Sequence, residues 1–403
     1  MNDAAVDTAG SAPADEAGVA SAIRAARRAR EPLLVLGAGT KLGMLRPVQA
    51  ARALSTRNLT GITLYAPKEL IVSARAGTSI AALEAALAEH GQHLIAEPPD
   101  LSALLGAGAA QTLGGVTATN LSGPRRIAWG AMRDHVMGIR AVNGDGEAFH
   151  SGGRVLKNVT GLDLCKLLAG SHGTLGVLTE ITLKVLPAPE MTGTLVLVGL
   201  DAAAGVAALS AALGSPYGVS GAAWLPAEAA SRVPELAGFG GAVALMRIED
   251  FAASVAYRTG RLALDLAEWG QAALLDDAAS RAVWRAVRDA LPLAHEGAEM
   301  VWRVSVRPSR GPGVLAVPGL RGFLDWGGGL VWLAGPATAH DAVTAAVTAA
   351  GGIWTVMRAP EGLRAGSAMV PPEPPVVAAL TRRVKAVMDP GGILNPGRIY
   401  AGV

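Results

Sequence analysis

The 403 residues predict an α+β protein built from more than one unit. Short apolar runs alternate with helical patterns from Asp15 onwards. Asn143-Gly144-Asp145-Gly146 sits between two strand-like runs, a strong antiparallel hairpin signal. Pro187-Ala188-Pro189 then interrupts the chain, and longer strands and helices follow it. Hydrophobic residues make up 51% and charged residues 17%, which excludes a disordered chain. A net charge of +2 with dispersed Lys and Arg leaves no nucleic-acid footprint.

In chain order, residues 1–15 read as a flexible polar tail. Asp15 to Arg30 reads as a helix, acidic at its start and Arg-rich at its end, as the macrodipole favours. Pro32 to Leu36 is a buried strand, and Ile62 to Tyr65 and Leu70 to Ala74 are two more. Thr78 is the expected N-cap of a helix whose Ile80, Leu83 and Leu87 share a face, with Gly91 as its stop. Glu97 to Gly130 is dense in Gly and Pro. Val136 to Val142 and Glu147 to His150 form the hairpin, Asp163 to Leu168 a short helix, and Val177 to Leu186 an alternating strand. The two prolines at 187 and 189 are read as unable to extend a ladder, so they mark a boundary.

Beyond it, strands are expected at Thr194 to Gly199, Ser220 to Trp224, Ala242 to Ile248, Val301 to Arg307, Gly329 to Leu333 and Ile353 to Arg358. Helices are expected at Asp201 to Leu213, Phe251 to Trp269, Ala278 to Leu291 and Ala339 to Ala349. Helices over one antiparallel sheet fit this order. A proline-rich linker at 371–375 precedes a basic helix, Val376 to Met388, and a stop at Asp389-Pro390-Gly391-Gly392.

Cys165 is the one cysteine, read as a small buried hydrophobe. One thiol excludes an internal disulfide, a four-thiolate iron–sulfur cluster and a thiolate zinc site. No uninterrupted apolar run reaches the roughly 18 residues of a membrane span, and no secretory signal is visible, so a cytoplasmic location is expected.

Three Gly-Thr/Ser clusters carry the chemistry. Gly37-Ala38-Gly39-Thr40-Lys41 follows a strand, where free N–H groups can cradle a pyrophosphate. A nicotinamide-type fingerprint does not fit, because Pro47 spoils the following helix and no Asp or Glu occurs from Pro32 to Lys68. No Walker loop exists. The second cluster, Thr112-Leu113-Gly114-Gly115 leading to Thr119-Asn120, Ser122-Gly123-Pro124-Arg125-Arg126 and Arg133-Asp134, reads as an anion seat at a helix start. The third is Gly170-Ser171-His172-Gly173-Thr174-Leu175-Gly176-Val177. Each could be turn chemistry, but together they suggest one extended ligand held mainly by main chain.

These clusters, with Ala76-Gly77-Thr78 and Lys157-Asn158-Val159-Thr160-Gly161, resemble the FAD-binding domain of the vanillyl-alcohol-oxidase or p-cresol-methylhydroxylase (PCMH) type. Gly123-Pro124-Arg125-Arg126, Val177-Leu178-Thr179-Glu180-Ile181 and Leu394 to Tyr400 bring the resemblance closest to FAD-binding subunits of bacterial glycolate oxidases. The resemblance implies a two-lobed FAD domain at 16–189, an α+β cap with an antiparallel sheet at 190–370, and a segment at 371–403 returning to the FAD domain. It implies cofactor contacts from Gly37, Ala38, Gly39, Thr40, Lys41, Thr112, Leu113, Gly114, Gly115, Thr119, Asn120, Ser122, Gly123, Asp134, Gly170, Ser171, Gly173, Gly176, Val177, Asn395 and Arg398. Some relatives hold FAD covalently through a His in the pyrophosphate loop. No His lies between Arg24 and Glu89, so dissociable FAD is expected. His172 stands where many relatives carry Glu, and it reads as a turn residue with a satisfied hydrogen bond ahead of any role at the cofactor.

The implied role is oxidation of glycolate, D-lactate or a similar 2-hydroxy acid. Electrons would pass to a paralogous catalytic flavoprotein and an iron–sulfur subunit, with peripheral attachment to the cytoplasmic membrane through those partners. No metal site and no nucleic-acid partner is expected. The His-rich motif of catalytic relatives is absent, His295 and His340 stand alone in the second half, and the catalytic residues are not assignable. A self-sufficient dehydrogenase holding the acid with Arg303 or Arg307, spaced to share a strand face, is the alternative, and an assembly scaffold a third. His340 reads as an exposed helix-start residue. Gly37→Val and Gly114→Val are expected to block the cofactor's approach.

Overall fold

A computed structural model describes residues 7–153, 161–294 and 299–403. Lys157 to Thr160 of the signature, with Asn158, and His295 lie outside these residues. Four sheets organise the described residues. A parallel three-stranded sheet runs β1 (Asp7–Ser11), β3 (Arg52–Ser55), β2 (Leu33–Leu36). Strand β1 lies inside the segment read as a tail, and it pairs with β3 from Asp7 to Ser11. The helix Glu16–Ala29 packs on this sheet through Val19 and Ile23. Asp15 caps it, accepting from Gly18 N at 2.7 Å, and Arg30 ends it in the left-handed region.

The five-stranded sheet has the order β4 (Ile62–Ala66), β5 (Ile71–Arg75), β9 (Val177–Lys184), β7 (Val136–Val142), β8 (Ala148–Gly152), all antiparallel. The hairpin at 143–146 joins β7 to β8. The central strand β9 is buried along most of its length rather than alternating, with only Glu180 and Lys184 partly exposed. Helix Ile80–Ala88 is capped by Ser79, whose hydroxyl accepts from Ala82 N at 3.1 Å, and not by Thr78. The Thr78 hydroxyl instead binds the main chain of Gly61. Cys165 is buried and its Sγ donates to the Ser151 carbonyl.

A two-residue pairing joins β6 (Gln92–His93) to β10 (Leu186–Pro187), so Pro187 does enter a ladder, at its last position, where its missing N–H costs no bond. Then β11 (Met191–Val198) enters the eight-stranded antiparallel sheet. Its order is β14 (Ala272–Leu275), β11, β13 (Val243–Asp250), β12 (Gly221–Leu225), β16 (Arg321–Asp325), β17 (Leu330–Gly335), β15 (Met300–Ser305), β18 (Ile353–Arg358). Strands β3, β14 and β16 carry no strong sequence signal. Helix Ala202–Leu213 meets Trp224 on one face of this sheet, and His340–Ala349 meets Trp302 on the same face. The opposite face carries Arg247, Phe323, Trp332 and Arg303 by register, and it looks toward the N-terminal half, where Glu97 meets Arg247.

Helix Pro375–Met388 returns the chain to the N-terminal half. Its buried Lys385 donates to Thr174 O, Leu394 O and Asp389 Oδ2 at 2.7–2.8 Å. Leu394 then forms a parallel bridge with Leu33, extending the small sheet. No helix among the described residues is long and apolar enough to cross a membrane.

Candidate functional site

A half-open cleft with about 780 Å³ of empty space, its solvent-filled mouth included, lies where the three glycine clusters and the C-terminal segment meet. Strand β2 feeds its first wall. There the N–H groups of Gly37, Ala38, Gly39, Thr40 and Lys41 find no acceptor among the described residues, while Leu42 N already bonds back to Gly39 O. Gly39 takes φ +78°, which lets the run turn into a nest of main-chain donors. Five such donors in an open cleft fit the phosphates of a dinucleotide.

Lys41 adds charge to this nest. Its Nζ donates to Gln111 Oε1 at 3.2 Å and Thr40 Oγ1 at 3.3 Å. Burial pulls it down to about 8, against the attraction of Asp100. An anion bound beside Lys41 favours its protonated form. Above pH 8 the ligand-free amine is neutral, so binding must then take up a proton. FAD affinity, measured by fluorescence titration, is therefore expected to fall as pH rises past about 8 and to lose that slope in Lys41→Met. A flat profile in the parent protein overturns this.

The second cluster behaves differently from its sequence reading. Thr112 caps the helix Leu113–Thr119. Yet Leu113 N donates to Thr78 O, Gly114 N to Ala76 O at 2.7 Å, and Gly115 N to the Thr112 hydroxyl. The helix start has no free donors and is no anion seat. It forms a packed wall, with Thr112, Gly114, Gly115 and Thr119 lining the cleft and Leu113 buried behind it. A Cβ at Gly37 would sit 2.3 Å from Thr112 Oγ1, and one at Gly114 2.8 Å from Ala76 Cβ. Valine at either position therefore strikes protein before any cofactor, which corrects the reason expected for its effect.

In the third cluster Ser171, Gly173, Gly176 and Val177 line the cleft. Gly173 takes φ +73° and a Cβ there would press on Asn395 Nδ2 at 2.9 Å. The Gly173, Leu175 and Gly176 N–H groups have no acceptor among the described residues. His172 also lines the cleft, in the left-handed region at φ +52°. Its main chain is bonded as a turn residue's would be, to Ala118 O and Asn395 Nδ2. Its imidazole is held neutral, pushed to about 3 by burial and then by Arg398 and Lys41.

Asn395 and Arg398 close the site from the far end of the sequence. Asn395 Oδ1 accepts from Val35 N at 2.7 Å, and its Nδ2 donates to Val35 O and His172 O. Arg398 donates to the carbonyls of Lys41, Leu42 and Arg46 and so fixes the loop that follows β2. Residues the sequence reading missed here are Leu34, Val35, Leu36, Leu42, Thr56, Ala118 and Leu178, apolar or small walls without a motif.

Five other expected residues do not line the cleft. Asn120 Oδ1 accepts from Arg133 N, Ser122 Oγ from Met132 N and Asp134 Oδ2 from Ala131 N, all local loop bonds. Gly170 supports the turn before His172. Gly123 packs on the Glu97 carbonyl and accepts from Trp326 Nε1 at 3.1 Å. In the second half, His340 is not an exposed cap residue. Its Nδ1 accepts from Trp302 Nε1 at 3.1 Å, and its ring meets Trp354 edge-on. Arg307 lies beyond the end of β15 and is exposed, so it does not share a strand face with Arg303, which points into the interface.

A family model described as an FAD binding domain matches residues 10–152. The glycolate oxidase subunit GlcE of Escherichia coli is 34% identical over 377 residues, which cover 92% of this chain and 93% of that protein. A D-lactate dehydrogenase of Archaeoglobus fulgidus is 33% identical over 176 residues, 43% of this chain and 38% of that one. Among solved structures, p-cresol methylhydroxylase superposes with a TM-score of 0.69 at 13% identity, covering 97% of this chain and 88% of its own, a likeness of fold.

Proposed function

This chain belongs to the family of FAD-dependent oxidoreductases that includes the glycolate oxidase subunit GlcE, and from that premise we propose that it is the FAD-binding subunit of a glycolate-oxidising complex. The observation that carries the reading is the reach of the similarity. The match to the D-lactate dehydrogenase covers 43% of the chain, whereas the match to GlcE covers 92% and so takes in the eight-stranded sheet. We divide the chain accordingly into an FAD-binding unit at 16–189, a cap at 190–370 and a returning segment at 371–403.

The main-chain donors of Gly37 to Lys41 would hold the FAD diphosphate, with the Lys41 ammonium beside it. Gly173, Leu175 and Gly176 would supply further N–H groups, and Asn395 and Arg398 would keep both loops in place. Bound there, FAD supplies a two-electron acceptor for the hydrogen on C2 of a 2-hydroxy acid. The residues contribute position and charge, and the flavin is held without a covalent bond. With one buried cysteine, the chain cannot by itself ligate a four-thiolate iron–sulfur cluster, so onward one-electron transfer belongs to a partner subunit.

A second reading, a self-sufficient 2-hydroxy-acid dehydrogenase, is favoured by Arg303, a cation facing the interface that donates to no carboxylate among the described residues. The purified chain separates the two. Acid-released flavin at about one per chain is expected, with bleaching by anaerobic glycolate or D-lactate only when partner subunits are added. Bleaching of the isolated chain selects the second reading, and absence of any flavin overturns both.

A further inference from the structure

Where the eight-stranded sheet faces the N-terminal half, the arginines fall into two groups. Arg125 is bound by Glu249, Arg247 by Glu97, and Arg288 by Asp289. Arg126 and Arg303 differ. Among the described residues neither donates to a carboxylate or carbonyl, and both rest on the same indole. Each guanidinium carbon lies 4.8 Å from the Trp326 ring centroid, and Arg303 also lies 5.9 Å from that of Trp332. We propose that Arg126, Arg303 and Trp326 form a binding site for the carboxylate of a small organic acid.

Two cations that share one buried ring repel each other, and burial strips water from Arg303 while Arg126 stays partly exposed, a cost that a bound anion lowers. Burial and then Arg126 push Arg303 down to about 10. Asp325 is the acid nearest in charge, but it is not a fixed counter-ion. Its Oδ1 accepts from Trp326 N at 2.7 Å, and burial pushes it up to about 7. The planar guanidinium fork matches a carboxylate.

The site is built rather than incidental. Trp326 holds φ +54°, a backbone state that a bulky residue keeps only when its surroundings enforce it. The enforcement is visible: Trp326 Nε1 donates to Gly123 O, and Gly123 opens the Gly-Pro-Arg-Arg run that supplies Arg126. Arg303 comes from β15, on the sheet face that carries Arg247 toward Glu97. The cluster therefore joins the run that follows the cleft-lining helix to the sheet of the cap. The choice of an organic acid rests on the glycolate-oxidising reading above.

Oxalate, a carboxylate with no C2 hydrogen to transfer, is the probe. Calorimetric titration of the flavin-loaded chain should give saturable binding. Arg126→Gln and Arg303→Gln should each weaken it roughly tenfold or more, with flavin content and melting temperature retained, and the exposed Arg307→Gln should not. If the variants misfold, the parent protein still decides: oxalate should protect Arg126 and Arg303 from phenylglyoxal, read by mass spectrometry. No oxalate binding, no protection, or equally tight binding of inorganic phosphate overturns the site. A chain purified without flavin fails the functional reading instead, because protection is read on the protein alone.

Discussion

Glu97→Gln is expected to destabilise the protein by about 3 kcal/mol, because it leaves two buried guanidiniums sharing the single carboxylate of Glu249. Glu97 is buried at φ +49° between the N-terminal half and the cap sheet. Its two oxygens accept from Arg247 at 2.8 and 3.1 Å, and one also accepts from Arg125 N at 3.1 Å. Glu249 accepts from Arg125 at 3.1 and 2.7 Å and from Ser220 at 2.6 Å. Two carboxylates and two guanidiniums thus make a neutral buried quartet, and Arg247, only 1% exposed, cannot turn to water when one charge is lost.

Denaturant unfolding of the parent and variant measures the loss, and a change below about 1 kcal/mol would show the quartet to be expendable. Acid gives a second measure. Burial raises both carboxyls, and Arg125 and Arg247 more than reverse this, so Glu97 and Glu249 titrate below the ordinary carboxylate range. Their stabilisation is complete above an unfolded value of about 4.3 and is lost as pH falls through the folded values. Stability should therefore drop steeply below about pH 4, and less steeply in Glu97→Gln.

Asn395→Ala is expected to cost about 3 kcal/mol and to weaken FAD at least tenfold. The amide satisfies three main-chain groups at once, Val35 N–H, Val35 C=O and His172 C=O, and each left unpaired is expensive. Asn395 also sits at φ +43°, where Asn is tolerated better than Ala. Asn395→Asp keeps the acceptor for Val35 N and loses both donors, so it should fall between parent and Ala. Flavin retention after gel filtration and a thermal melt read the two effects. Loss of stability with undiminished FAD affinity would detach this residue from the site.

Much of the site was legible because glycine beside Thr, Ser or Asn marks main chain that must approach something closely. The Gly37 to Lys41 nest followed from a strand running into small residues. What was not legible is which donors are already spent. The start of the Leu113–Thr119 helix looks free in sequence, but its N–H groups are taken by carbonyls at Ala76 and Thr78, more than thirty positions earlier. Thr78 and Ser79 are adjacent cap candidates, and only the position of Gly61 decides between them. Strands Ala272–Leu275 and Arg321–Asp325 lack β-branched residues, and tertiary pairing rather than propensity makes them strands. The inward direction of Arg303 was not legible, because nothing local says that the cap sheet turns that face toward the N-terminal half.

The stitch at Asn395 sets an order of assembly. It binds Val35 from 360 positions later and His172 from 223 positions later. A nascent chain can thus finish both glycine loops, and the whole cap sheet, while the cleft they form is still open on one side. Cofactor capture is then expected only after the segment around Asn395 has joined Val35 and His172, so a chain stopped anywhere in the cap is expected to be flavin-poor.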